Sequence, residues 1–296
     1  MKKKTKRLLI SLLVALVLAA AVYLIPESTA PWLSTPKQWV SDAWNSAKEG
    51  MEGLLSGGAD MSSVVDSVPA VGTDGLEMAR PRNGVLVGYT GFTVSYDSSA
   101  KIPEWVVYEL TSEEAFATDV SRGDVFWEDT RVKGYSKLSD YKGSGYDRGH
   151  MCPSKDQCWS EEANYDSFSL LNMVPQNHEY NAGIWLTAER WARNVAGKYG
   201  KVYVATGPVI EKGLETIGSG VCVPNECWKA LLVIADGKAS SLAVCIPQDA
   251  PRGQLQPYVL SVNELEEKIG IDLFYNLPDD VEETIESMTS TKGWQM

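Results

Sequence analysis

WKALLVIADGKASSLAVCIP, Trp228 to Pro247, is two apolar runs around an Asp-Gly pair. Asp236-Gly237 supplies the two positive-φ positions of a tight hairpin turn, and the aliphatic flanks read as adjacent antiparallel strands. In that register Cys245 faces Trp228. Upstream, IPEWVVYEL (102 to 110) and GKVYVATGPVI (200 to 210) also read as strands. Between them, EYNAGIWLTAERWARNVAGKY (179 to 199) places Ile184, Trp185, Ala188, Trp191, Ala192 and Val195 at helical spacing, with the two tryptophans as packing residues. Strands and helices intersperse without regular βαβ alternation and without an internal repeat. The class expected is α+β, with a mixed or antiparallel central sheet flanked by helices.

The chain has 296 residues, 44% of them hydrophobic, enough to bury a sizeable core. MKKKTKR places five positive charges in residues 1 to 7, and Leu8 to Ile25 is an apolar run of 18. That pattern is a signal anchor or a signal peptide, followed by an exported domain. The residues after the run offer a poor small-x-small cleavage site, since Ala30 precedes Pro31, which favours an uncleaved membrane helix over residues 8–25. The cleaved alternative is a secreted or periplasmic protein. The expected organisation is the N-terminal segment 1–30, a Ser/Gly/Ala-rich tether with a short amphipathic helix over 31–79, and one catalytic domain over 80–296.

Net charge is −12; setting aside the five cations of residues 1 to 7 leaves 22 Lys and Arg against 39 Asp and Glu, or −17. Such a domain has no long-range attraction for nucleic acid, so any polyanion site is local. The segment 262–287 holds nine Asp or Glu and one Lys, and reads as solvated helices or a tail away from the cleft. The five cysteines fit no zinc spacing, and only two histidines are present. Disulfides are the better expectation, at most two with one thiol left over; Cys152 with Cys158, and Cys227 with Cys245 across the hairpin, are candidate pairs, and the spacing leaves the connectivity open.

One of those histidines lies in GSGYDRGHMCPSKD, Gly143 to Asp156. If YDRGH is extended, Tyr146, Arg148 and His150 point to one side and Asp147 to the other. Gly149 then removes a side chain beside the histidine, as for close approach of a ligand, and Asp147 braces the Arg148 loop. An imidazole so placed suits general-base work, its ordinary pKa being near neutrality. Downstream, Asn172, Asn181 and Glu189 stand nine and eight residues apart. If Asn181 opens the helix, it and Glu189 look to one side, separated by about 12 Å of rise. Amide and carboxylate oxygens there are hard ligands suited to Mg2+, which keeps several waters when few protein groups bind it. His178, one residue past the PQN turn, reads as a surface or capping residue.

Together, RGDVFWED (122 to 129), GYDRGHMCPSKD (145 to 156) and NMVPQNHEYNAGIWLTAE (172 to 189) resemble the DNA/RNA non-specific endonuclease family, the Serratia-type and endonuclease G-like ββα-metal nucleases. The resemblance covers about residues 80 to 250. It implies an α+β fold with a ββα-metal finger, in which His150 leaves a strand and Asn181 starts the crossing helix. It implies His150 as the general base, Asn181 as the metal's protein ligand and Glu189 as the holder of metal-bound water. Arg122 would neutralise phosphate charge, Asn172 would support His150 or the substrate, and Arg148 would touch phosphate. The cofactor implied is Mg2+, with Mn2+ as a substitute, and the substrates are DNA and RNA; no protein partner is evident. The activity expected is sequence-indifferent hydrolysis of phosphodiesters, since a site that grips phosphate without reading base edges cannot distinguish sequence. The alternatives are a phosphodiesterase acting on another substrate and a non-catalytic nucleic-acid-binding surface protein.

Overall fold

In a computed structural model, which describes residues 75–296, the strands are β1 (Val85–Gly88), β2 (Thr93–Asp97), β3 (Ile102–Thr111), β4 (Asp147–His150), β5 (Met173–Gln176), β6 (Lys201–Pro208), β7 (Thr216–Ile217), β8 (Val221–Cys222), β9 (Glu226–Ala235), β10 (Lys238–Pro247) and β11 (Val259–Leu260). The longer helices are α1 (Glu161–Ser167), α2 (Leu186–Tyr199), α3 (Val262–Ile269) and α4 (Asp279–Glu286). Seven strands form one sheet in the order β1-β2-β3-β6-β9-β10-β11. Every pairing in it is antiparallel, so the sheet is purely antiparallel rather than mixed.

The turn between β9 and β10 has Asp236 at φ 53° and Gly237 at φ 74°, as its Asp-Gly pair dictates. Pairing is direct, with Cys245 opposite Trp228 and Cys227 opposite Ile246. Side chains alternate along a strand, so the two faces of β9 enter different cores. Trp228, Ala230 and Leu232 point to one, shared with α3 and α4; Cys227, Leu231 and Val233 point to the other, shared with α2 and the β4–β5 hairpin. Leu76 and Ala79 are already part of the first of these cores.

That alternation also corrects the cysteine expectation. Cys227 and Cys245 lie on opposite faces of the sheet, in different cores, and cannot meet across the hairpin. Cys152 and Cys158 flank a one-turn 3-10 helix, Ser154–Gln157. Cys152 Sγ accepts from Gln157 Nε2, while Cys158 Sγ donates to the Ser154 carbonyl. All five cysteines are free thiols. The membrane or signal segment and all but the last residues of the 31–79 tether lie outside the described residues; among those described, no helix is long and apolar enough to cross a membrane.

The acidic stretch after residue 262 forms α3 and α4, which press Val262, Leu265, Ile269, Val281 and Ile285 onto the back of the sheet. One of its carboxylates is not solvated. Glu286 is 2% exposed, its Oε1 has no partner, and burial together with Glu266, Glu282 and Asp272 pushes its pKa up from 4.5 to about 9. A carboxyl whose folded pKa is raised is stabilising in full only below its unfolded value, and that contribution is lost as pH rises towards the folded one. Glu286→Gln should therefore stabilise the protein at pH 8 by on the order of 2 kcal/mol. The gain should shrink on approach to pH 4.5; denaturant midpoints of the two proteins at pH 5 and pH 8 measure it.

Candidate active site

The DRGH motif is strand β4, paired antiparallel with β5 so that Asp147 faces Gln176 and His150 faces Met173. Arg148 and His150 fall on one side, as an extended chain requires. The Arg148 guanidinium sits 4.1 Å over the Phe126 ring, whose centroid is 5.7 Å from the imidazole of His150. Phe168 meets that imidazole edge-on at 5.0 Å. Gly149 has a different role from the one expected. A Cβ there would lie 2.0 Å from Gln176 Oε1, so the missing side chain makes room for β5's own glutamine and not for a ligand.

Three hydrogen bonds set where β4 ends. The amide of Asn172 accepts from the Cys152 N–H at 2.9 Å and donates to the Cys152 carbonyl at 2.8 Å and the Ser167 carbonyl at 2.8 Å. Asn172 is fully buried, with its whole polar end spent on backbone. It is thus a positioning residue behind His150 and does not reach the cleft. From the opposite side, Trp185 Nε1 donates to the His150 carbonyl at 3.0 Å.

Asn181 opens a π-helical turn, Asn181–Trp185, that runs into α2 through a kink at Gly183 (φ −111°, ψ −108°). Such turns recur at functional sites because they re-aim the residues on either side. Asn181 Nδ2 donates to Asp147 Oδ2 at 3.0 Å, which commits the nitrogen end of the amide and leaves Oδ1 uncommitted. Asp147 therefore braces Asn181, and not the Arg148 loop. His178 Nδ1 lies 2.9 Å from the same carboxylate oxygen, on a surface side chain.

Glu189, half-buried on the first turn of α2, has its carboxyl pushed up to about 7. Burial is the main cause; Asp156 adds to it, while Arg193, Lys229 and Arg122 oppose it. Asp156 accepts from Arg193 at 2.7 Å and from the Tyr108 hydroxyl at 2.9 Å. Lys229, on the interior strand β9, is fully buried with its ammonium over the Trp185 and Tyr108 rings and no hydrogen-bond partner among the described residues. Burial holds its pKa down. The sequence reading missed this group, and also Phe126 and Phe168. A lysine on the core-facing register of an otherwise apolar strand was the sign available.

His150 is 7% exposed, and its Nε2 has no partner, nor has Arg148 Nε on the same side. Burial, then the nearby charges of Arg122 and Arg148, lower its pKa from 6.5 to about 3, so the ring is neutral with a free lone pair at physiological pH. Arg122, solvent-exposed with its guanidinium 5.8 Å from the Phe168 ring, acts on both His150 and Glu189. His150, Arg148, Arg122 and Glu189 are thus linked electrostatically, with Asn181 tied to β4, the strand of Arg148 and His150, through Asp147. Among the described residues no cluster of three His, Cys, Asp or Glu could cage a metal. The donors present, one uncommitted amide oxygen and a nearby carboxylate beside orphaned nitrogens, fit a hard, largely hydrated cation next to an anion.

A family model described as DNA/RNA non-specific endonuclease matches residues 77–280. The chain is 33% identical over 204 residues to a Danio rerio protein named nuclease EXOG, mitochondrial, covering 63% of this chain and 60% of that relative. It is 32% identical over 210 residues to a nuclease of Nostoc sp., covering 66% of this chain and 75% of that one. A crystal structure described as the EndoG/EndoGI complex aligns with TM-score 0.63 and 27% identity, over 67% of this chain and 89% of the other. The match thus spans 60% of the length of the Danio rerio relative.

The buried amide of Asn172 makes a stability prediction. Asn172→Ala strands the Cys152 N–H and two carbonyls without partners, each costing about 1–3 kcal/mol. Urea denaturation should show a loss of about 3 kcal/mol or more.

Proposed function

Because the chain belongs to the DNA/RNA non-specific endonuclease family, we propose that it hydrolyses phosphodiester bonds of DNA and RNA without regard to sequence, at the cleft formed by His150, Asn181, Glu189, Arg122 and Arg148. The observation that carries the reading is the neutral imidazole with an uncommitted Nε2, flanked by two guanidinium groups. An unprotonated ring beside cations is the state a general base needs before it meets an anionic substrate.

In this reading Arg122 and Arg148 take the non-bridging phosphate oxygens. Burial, and after it these two charges, hold the imidazole's pKa down, so a bound phosphate that offsets the charges raises its basicity where a water is to be deprotonated. His150 then takes the proton of that water, which attacks phosphorus in line with the departing 3′-oxygen. Asn181 Oδ1 would hold Mg2+, or Mn2+ in its place, with Glu189 holding its water shell through hydrogen bonds. When bound, the cation supplies charge neutralisation at the phosphate and the leaving oxygen. Asp147 keeps the Asn181 amide turned so that its oxygen, and not its nitrogen, is offered. Export of the protein rests on the pattern of residues 1–25; the free thiols add nothing to it.

Purified full-length protein should degrade plasmid and RNA with Mg2+ and leave both intact with EDTA. His150→Ala should lower the rate by about 10² to 10⁴. Persistence of both substrates under every metal condition would falsify the assignment. Glu189 must be ionised to hold metal-bound water, so kcat/KM should rise with pH through about 7 and fall below it. Raising Mg2+ should move that limb to lower pH, because cation and proton compete for the same charge.

A further inference from the structure

A nuclease carrying a net −12 cannot hold its substrate by long-range attraction, and two cations at the scissile phosphate fix a single point on the strand. Resting on the reading of His150 and Asn181 as a phosphodiesterase centre, we propose that the outer face of Tyr165, backed by Trp127, is a stacking platform for a nucleobase of the substrate strand flanking the scissile phosphate.

The pair is unusually well fixed for a surface feature. Tyr165, on α1, is 54% exposed, and its ring lies parallel to the Trp127 indole at 5.3 Å with 6° between planes. Trp127 Nε1 donates to the Tyr165 carbonyl at 3.0 Å. The Trp127 backbone is pinned on both sides, its N–H to the Phe168 carbonyl and its carbonyl to the Leu170 N–H. Behind it stands Tyr89, edge-on at 6.3 Å and bonded through its hydroxyl to Asp129 and Ser169. A ring held this way loses little freedom when a base lands on it, which is what makes an aromatic an efficient contact.

Position points to the same occupant. Tyr165 and Phe168 are three residues apart, neighbours on one side of α1 and its cap, and Phe168 is the ring against His150. Tyr165 is therefore on the order of 10 Å from the imidazole, one helical turn beyond the wall of the cleft and within one to three nucleotide steps of it. The six large exposed hydrophobics among the described residues include Tyr165 and Val125, which is 65% exposed and adjoins Phe126 on the other wall. Of the nearby carboxylates, Asp166 accepts from the Thr90 N–H and hydroxyl and Glu128 from the Leu138 N–H, while Glu161 and Glu162, one turn before Tyr165 on α1, are exposed. Their charge disfavours a phosphate at this spot but not the flat face of a base. Stacking of this kind accepts any base, and so preserves indifference to sequence.

Steady-state cleavage of a single-stranded oligonucleotide by the full-length chain tests this. Tyr165→Ala should raise KM by about 5- to 100-fold and leave kcat within about twofold, with an unchanged dependence on salt. Tyr165→Phe should keep the wild-type KM. An oligonucleotide with abasic sugars on both sides of the cut should cost the wild type the same factor, and Tyr165→Ala should then add nothing. An unchanged KM in Tyr165→Ala, a loss confined to kcat, or a full additional loss on the abasic strand would overturn the platform. Absence of cleavage by the wild type would instead strike the phosphodiesterase reading, so the two failures are separable.

Discussion

The amide of Asn172 holds the peptide of Cys152 by both its N–H and its carbonyl, and the rest of the site depends on that grip. It decides where β4 stops being a strand and therefore where the ring of His150 stands. Trp185 closes the same clamp from the helix side by holding the His150 carbonyl. Because Trp185 ends the π-helical turn that Asn181 begins, the indole that holds the His150 carbonyl also references the imidazole to the turn carrying Asn181, and the Asp147–Asn181 hydrogen bond ties that turn to β4 a second time. Gly149 and Gln176 complete the arrangement, since the Gln176 side chain of β5 lies in the space a side chain at 149 would occupy.

Electrostatics treat His150 and Glu189 differently. Around His150, burial and the two arginines work in the same direction and keep the ring uncharged. Around Glu189, burial and Asp156 oppose Arg193, Lys229 and Arg122, and the carboxyl is balanced near neutrality. The buried pair behind Glu189 acts on it in opposite senses, Asp156 on the 3-10 helix after β4 raising its pKa and Lys229 on β9 lowering it, and neither is among the causes of the shift at His150. The overall acidity of the chain is thus compatible with a phosphate site, whose cations are few and local while much of the excess of carboxylates decorates the opposite face of the sheet.

The hairpin at Asp236-Gly237 and the long strands were legible because turn chemistry and apolar runs are local signals, and strands 102–111, 201–208, 226–235 and 238–247 lie where those signals put them. The short strands β1 and β2 escaped, being four and five residues with Gly and Ser interrupting them. The site was legible as a set of residue types in order, but not in the division of labour among them. Asn172 was read as a support for His150 or the substrate, but the means of support, full burial and three bonds to backbone, is a tertiary fact with no local trace. Asp147 and Gly149 were assigned to the wrong neighbours for the same reason: their partners, Asn181 and Gln176, lie 27 or more residues away. The disulfide expectation failed on the period of two along a strand, which was available in the register itself but was not applied to Cys227 and Cys245.

The far end of α2 is secured by residues that come much later in the chain. Trp191 Nε1 donates to the carbonyl of Trp294, 103 residues on, and Lys198 and Tyr199 both donate to the carbonyl of Gly293. During translation this helix leaves the ribosome with Glu189 on it while the segment that fastens its other end is still uncoded into protein. The carboxylate of Glu189 therefore rides on a helix held near its start through Trp185 and at its far end by carbonyls about a hundred residues later, so the second fastening is added by synthesis long after the first.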